Sequence, residues 1–99
     1  MLRGPLHTIA AHRKLVSCVR FEPVSGHYLL TASYDRTAKI FSAVDWTLER
    51  TLAGHEDKVM CADVSRDGTN SVVTVGFDKT VKLWQPEAPG EADAAPLLS

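Results

Sequence analysis

The sequence contains little that would direct it to a membrane, a secretory route or a nucleic acid. Its 99 residues include no apolar run near the ~20 residues of a membrane-spanning helix, and the segment 1–10 lacks the long apolar core of a signal peptide. The 11 basic and 12 acidic residues nearly cancel, so no overall field favours phosphate or an acidic membrane. With 44% apolar residues, these absences are typical of a soluble globular protein and predict an intracellular location.

What the sequence does contain is an internal repeat with an offset of 43 residues, as between Asp35 and Asp78. The segment 74–84, Thr-Val-Gly-Phe-Asp-Lys-Thr-Val-Lys-Leu-Trp, nearly restates the segment 31–41, Thr-Ala-Ser-Tyr-Asp-Arg-Thr-Ala-Lys-Ile-Phe. The same offset places His55 on His12 without a gap. Two segments of this length that match at one fixed offset indicate repeated supersecondary units. Each such unit buries its apolar face only against its neighbours.

Each copy of the repeat predicts short β-strands bounded by turns. The predicted strands are 16–22, 28–33, 37–42 and 48–53 in the first copy and 59–65, 71–75 and 80–84 in the second. Asp35 and Asp78 lie at the centres of tight turns, where a short carboxylate can accept backbone N–H groups. From residue 86 the chain is rich in Pro, Gly and acidic residues, which predicts a disordered tail over 86–99.

The two cysteines, Cys18 and Cys61, occupy equivalent positions, so the repeat alone explains their number. Equivalent positions in neighbouring units need not approach to disulfide distance. His12 and His55 precede them at equal spacing, but the close paired ligands of structural zinc sites are missing. The sequence therefore favours two reduced, buried strand thiols over a disulfide or a metal pair.

The repeated residues resemble those of the WD40 family. Its pattern is a Gly-His pair, a strand, a turn often holding Asp-Gly, a second strand, an Asp in a tight turn, and a strand ending in Trp-Asp. The matching residues are Gly54-His55, Asp67-Gly68, Asp78 and Trp84 in the second copy and Ala11-His12, Asp35 and Phe41 in the first. Both copies lack the final Asp, because Gln85 follows Trp84 and Ser42 follows Phe41.

This resemblance implies an all-β fold in which two WD40 repeats form four-stranded antiparallel blades. Because propellers close with roughly 4 to 8 blades, two repeats are an incomplete part of a β-propeller. The expected division is 1–10, an N-terminal segment with one outer-blade strand at Leu6 to Ile9; 11–53, the first repeat; 54–85, the second repeat without its outer strand; and 86–99, the tail. The strand at Leu6 to Ile9 either closes the ring or is the remnant of a missing repeat.

The polar residues that recur are the candidate site. His55, Thr74 and Asp78 have the types of a nucleophile triad, but a catalytic constellation is needed once and this one occurs twice. The resemblance implies instead structural tetrads in which Asp accepts from His, His contacts Thr, and Thr accepts the Trp indole N–H. The two sets are His12, Thr31, Asp35 and Phe41, and His55, Thr74, Asp78 and Trp84. Phe41 has no donor, so the first tetrad is expected to be one hydrogen bond short, and no catalytic residue, cofactor or metal is predicted.

Tyr34 and Phe77 each precede the turn Asp, a position that faces the partner-binding rim in many WD40 proteins. An aromatic residue there predicts either a contact with a partner or packing between adjacent loops.

Two further runs, Val19-Arg20-Phe21-Glu22-Pro23 and Thr51-Leu52-Ala53-Gly54-His55-Glu56-Asp57-Lys58-Val59-Met60, resemble the last repeats of the WD40 proteins of the spliceosomal U4/U6 small nuclear ribonucleoprotein. The implied function is a non-catalytic protein-protein interaction scaffold in pre-mRNA splicing. It would be nuclear, with splicing proteins as partners, indirect association with RNA and no membrane contact. The alternatives are a WD40 adaptor of another complex, such as a ubiquitin-ligase receptor or chromatin scaffold, and an enzyme using His and Asp. The isolated chain is expected to self-associate or to require missing blades.

Overall fold

The computed structural model describes residues 4–67 and 69–85, which form seven β-strands joined by turns. The strands are β1 Val16–Phe21, β2 Tyr28–Ser33, β3 Thr37–Ser42, β4 Leu48–Ala53, β5 Val59–Val64, β6 Val72–Gly76 and β7 Val81–Trp84. Within these ranges there is no helix long and apolar enough to cross a bilayer. The predicted all-β fold class is confirmed, and the predicted tail at 86–99 lies outside the described residues.

Two antiparallel sheets follow the two copies of the repeat. The first has the order β1-β2-β3-β4 and the second the order β5-β6-β7, so neighbours in sequence are also neighbours in space. The register shifts at the same place in both copies, between Val16 and Cys18 and again between Val59 and Cys61. In the described part of the chain β7 pairs on one side only, which leaves an open edge, as expected for a partial propeller.

The core lies between the two sheets. The first sheet contributes Leu30, Ala32, Ala38, Ile40 and Leu52, and the second contributes Val59, Ala62, Val64, Val72 and Trp84. Burial of these side chains stabilises the pair of sheets by about 25 cal/mol for each Å² of apolar surface removed from water. A polar contact also joins β1 to the start of β5, because the Ser17 hydroxyl donates to the carbonyl of Val59 at 2.6 Å.

Strand β1 ends one residue earlier than the sequence predicted, because Glu22 turns inward and organises the β1–β2 turn. Its side chain is buried, and its carboxylate accepts the backbone N–H groups of Val24, Ser25 and Gly26 at 2.6 to 3.1 Å. The Ser25 hydroxyl also donates to it. This hydrogen bond, together with the backbone N–H groups, outweighs burial and lowers the pKa of Glu22 to about 2.

The N-terminal segment, residues 4–10, carries no strand in the described structure. The outer-blade strand expected at Leu6 to Ile9 would pair in the last blade or in a missing one, so it stays a prediction. The segment lies over the first sheet, where Leu6 and Ile9 help to line a half-open apolar cavity of about 370 Å³ beside Phe41. The His7 ring stacks on Trp46 with 5.7 Å between ring centroids.

Candidate functional site

In the second copy the structure brings together all four residues of the predicted tetrad. Nδ1 of His55 lies 3.1 Å from the nearer carboxylate oxygen of Asp78, and Nε2 lies 2.7 Å from Oγ1 of Thr74. The indole N–H of Trp84 donates to the same Thr74 oxygen at 3.0 Å. All three hydrogen bonds form together when His55 carries its proton on Nδ1. It then donates to Asp78 and accepts the Thr74 hydroxyl proton on Nε2.

The first copy repeats three of these four positions. His12 Nδ1 lies 2.8 Å from Asp35 and its Nε2 lies 2.7 Å from the Thr31 hydroxyl. Phe41 is buried at the position of Trp84 and offers no donor to Thr31. The first network therefore has one hydrogen bond fewer than the second.

The two aspartates also fix the turns that they occupy. Oδ1 of Asp35 accepts the backbone N–H and the hydroxyl of Thr37 at 3.0 and 2.6 Å, and Asp78 does the same with Thr80 at 3.1 and 2.6 Å. Burial alone would raise the pKa of Asp35, but hydrogen bonds from Thr37 and His12 outweigh it and lower the pKa to about 2. The Thr80 hydroxyl and the Glu56 N–H hold the pKa of Asp78 well below its usual range.

A fifth participant, Gly76, was not predicted from the sequence. A Cβ at this position would collide with Nδ1 of His55 and lie 2.5 Å from Oδ1 of Asp78. The equivalent residue in the first copy is Ser33, whose buried hydroxyl accepts the Asp35 N–H at 3.0 Å. In the sequence, only the change from Ser33 to Gly76 between the two copies indicated that this position is special.

The burial of these groups limits the chemistry that they can perform. Thr74, which would be the nucleophile of a triad, is 0% exposed, and its oxygen is already engaged by His55 and Trp84. A nucleophile must reach a substrate carbonyl or phosphoryl group, and this hydroxyl has no route to one. Among the described residues there is also no group of three or more His, Cys, Asp or Glu side chains placed to hold a metal ion.

The outer part of the site lies at the β2–β3, β4–β5 and β6–β7 turns, where Phe77 is exposed and Tyr34 and Lys58 are half-buried. We call Tyr34, Lys58 and Phe77 the Lys58 rim. The ammonium of Lys58 lies 3.7 Å from the centre of the Phe77 ring and 5.4 Å from that of Tyr34, so the cation bridges the two predicted aromatics. Phe77 remains 59% exposed. Lys58 was not predicted, although the repeat breaks there, with Leu15 at the equivalent position.

The cysteines are closer than the sequence suggested. The Sγ atoms of Cys18 and Cys61 are 3.4 Å apart, because β1 and β5 contact each other where the two sheets meet. Both thiols are free, and both residues are half-buried rather than buried.

The sheet order and the repeated His, Thr and Asp networks define a protein built from β-propeller blades. The family model for the WD domain, G-beta repeat, matches residues 3–42 and 46–85, and the chain belongs to this family.

Among individual proteins, the chain is similar to the U4/U6 small nuclear ribonucleoprotein PRP4-like protein of Arabidopsis thaliana, with 42% identity over 73% of this chain and 13% of that protein. It is 37% identical to the U4/U6 small nuclear ribonucleoprotein PRP4 of Saccharomyces cerevisiae, over 82% of this chain and 17% of that protein. It is also 38% identical to the nuclear distribution protein PAC1-1 of Uncinocarpus reesii, over 84% of this chain and 19% of that protein. The chain thus matches only a small part of the length of each relative.

Proposed function

We propose that the chain is part of a non-catalytic protein-protein interaction scaffold that acts in the U4/U6 small nuclear ribonucleoprotein during pre-mRNA splicing. The observation that carries this proposal is the similarity to two PRP4 proteins over most of the chain. The burial of Thr74 supports a non-catalytic role, because its hydroxyl is already hydrogen-bonded within the blade and cannot reach a substrate. In this proposal the two tetrads and Gly76 hold the blades, and the protein resides in the nucleus.

The Lys58 rim is the proposed contact surface for a protein partner. Its three side chains combine aromatic area with one cation, and aromatic residues are enriched where protein interfaces carry most of their binding energy. Association with RNA is proposed to be indirect, since a net charge of −1 gives the chain little attraction for phosphate.

The test of the splicing role is affinity capture of the longest natural protein that contains this chain, tagged at one end. The expected result is recovery of U4 and U6 RNA with splicing proteins from nuclear extract, with the protein partners retained after ribonuclease treatment. Recovery of a stable complex without splicing components would overturn the proposal. It would favour a WD40 adaptor of another complex, an alternative that the similarity to PAC1-1 supports.

The test of the rim is the double variant Tyr34→Ala and Phe77→Ala in the same capture. The matched control is Val24→Ala with Val44→Ala, two exposed side chains in the β1–β2 and β3–β4 turns at the opposite end of the first sheet. The rim variant is expected to lose at least about tenfold in recovered partner, since hot-spot truncations cost about 2 kcal/mol or more. Equal losses in the two variants would place the contact elsewhere.

A further inference from the structure

We propose that Cys18 and Cys61 form a reversible disulfide that links the two blades when the chain meets a small-molecule disulfide such as oxidised glutathione. The two sulfurs are 3.4 Å apart, against about 2.0 Å for a disulfide bond. They lie on β1 and β5, two strands that the Ser17 to Val59 hydrogen bond already holds together. Forming the bond requires the two side chains to rotate until the sulfurs close the remaining gap.

The pair is accessible to a small reagent. Both residues are half-buried, and an open groove of about 400 Å³ runs past them, with Arg20 on its wall. The Arg20 guanidinium offers the carboxylates of glutathione a counter-charge there. In the reduced state the thiol of Cys18 lies 3.6 Å from the carbonyl of Ala62. The hydrogen bond with Cys18, together with burial, raises the pKa of the Cys61 thiol, so Cys61 forms its thiolate less readily than a free cysteine does.

The reaction is two successive thiol–disulfide exchanges. In the first, one protein thiolate attacks a sulfur of the small disulfide, forms a mixed disulfide and releases one small thiolate. In the second, the other protein thiolate attacks the protein sulfur of the mixed disulfide, forms the bond between Cys18 and Cys61, and releases the second small thiolate. The protein loses two electrons and the small disulfide gains them, and the two thiol protons end on the released thiolates.

The fold should favour this bond over the same bond in the unfolded chain. Linking the two residues in an unfolded chain closes a long loop at an entropic cost, whereas the folded sheets already hold the two sulfurs in contact. The equilibrium constant for forming the disulfide should therefore be at least about tenfold larger in the native chain than in urea, because a cross-link of this loop length commonly gives more than that.

The experiment equilibrates the whole chain in graded mixtures of reduced and oxidised glutathione, in buffer and in concentrated urea, and then blocks the remaining thiols. Trypsin cuts after Lys14, Arg20, Lys58 and Arg66, so the internal bond joins peptides 15–20 and 59–66. The linked peptides are counted only in protein that runs as a monomer on a non-reducing gel. We expect this linkage with a native constant at least about tenfold above the urea constant.

The single variants Cys18→Ser and Cys61→Ser serve as controls, and each should stop at a mixed disulfide with glutathione on its remaining thiol. Three results would overturn the proposal. They are equal constants in buffer and urea, native protein that accumulates two glutathione adducts instead of the internal bond, and linkage found only between separate chains.

Discussion

At the scale of single residues, the two copies differ most at Phe41 and Trp84. The Trp84 indole donates to Thr74, whereas Phe41 leaves the Thr31 oxygen without that donor and borders an apolar cavity of about 370 Å³. Trp84→Phe should lower the free energy of unfolding by about 1 kcal/mol or somewhat more, through the lost hydrogen bond and lost contacts. Phe41→Trp should raise it, because the cavity gives room for an indole that can reach Thr31.

Urea unfolding midpoints at a fixed protein concentration measure both changes. Wild type and both variants are compared side by side, so that the two networks serve as controls for each other. Midpoints that fall in both variants would show that the indole hydrogen bond does not distinguish the two copies.

The aspartates give the chain a pH dependence with a defined sign. The folded pKa of Asp35 is about 2, and that of Asp78 is also below its usual range, whereas an unfolded Asp titrates near ~3.9. A lowered folded pKa contributes stability that is present above the unfolded value and is lost as the pH falls through the folded value. Stability should therefore decrease steadily from about pH 4 towards pH 2.

The matching variant is the double substitution Asp35→Asn and Asp78→Asn, which removes both titrations while keeping side chains of similar shape. Its urea midpoint should be lower than that of wild type at pH 6 and should change less between about pH 5 and pH 2. Parallel curves for variant and wild type would assign the acid sensitivity to other carboxylates, such as Glu22 and Asp67.

At the scale of the strand, Gly76 shows how closely β6 approaches the network. Gly76→Ala should cost about 2 kcal/mol or more, because the new methyl group displaces either the His55 ring or the Asp78 carboxylate. Gly26→Ala is the control: it has a φ of 72° but open space around it, and should cost only about 1 kcal/mol. Chemical denaturation measures the loss of unfolding free energy in the two variants. An equal or smaller loss at Gly76 would mean that β6 can move away from His55 and Asp78 without destabilising the fold.

The elements also show what the sequence could and could not predict. The seven strands were predictable, because alternating apolar residues and turn residues recur at one offset. The turn at Glu22 was not, because a Glu before a Pro gives no sign that its carboxylate will fold back onto three backbone N–H groups. The N-terminal strand expected at Leu6 to Ile9 stays a prediction, because the first sheet is already complete with β4 and the strand would pair in the last blade or in a missing one.

The candidate site could likewise be predicted only in part from the sequence. The members of each tetrad could be named from the resemblance, whereas the proximity of Cys18 and Cys61 depends on how two sheets meet in space. Lys58 could not be predicted from the repeat, because its position is one where the two copies differ.

At the scale of the whole molecule, apolar side chains are exposed on both sheets in the part of the chain that the structure describes. Val81 and Leu83 are 68% and 65% exposed on the second sheet, and Phe21 is 59% exposed on the first. Adjacent side chains of this kind normally mark an interface. Residues 1–99 expressed alone should therefore self-associate, and Val81→Lys with Leu83→Lys should reduce this more than Val44→Lys does. Sedimentation at several concentrations tests this, and a compact monomer at every concentration would contradict it.

The central claim is that the repeated His, Thr and Asp residues hold the blades while the Lys58 rim serves the partner. Thermal unfolding of two variants tests it most directly. Thr74→Val keeps the side-chain shape but leaves Nε2 of His55 and the indole N–H of Trp84 buried without a partner, which costs about 1 to 3 kcal/mol for each group. Tyr34→Ala with Phe77→Ala removes only the rings beside Lys58.

At one protein concentration, Thr74→Val should melt about 5 °C or more below wild type, and the rim variant within about 2 °C of it. The opposite order, with Thr74→Val melting like wild type and the rim variant collapsing, would contradict the account. It would assign both aromatics to the core and leave the buried threonine free for another role.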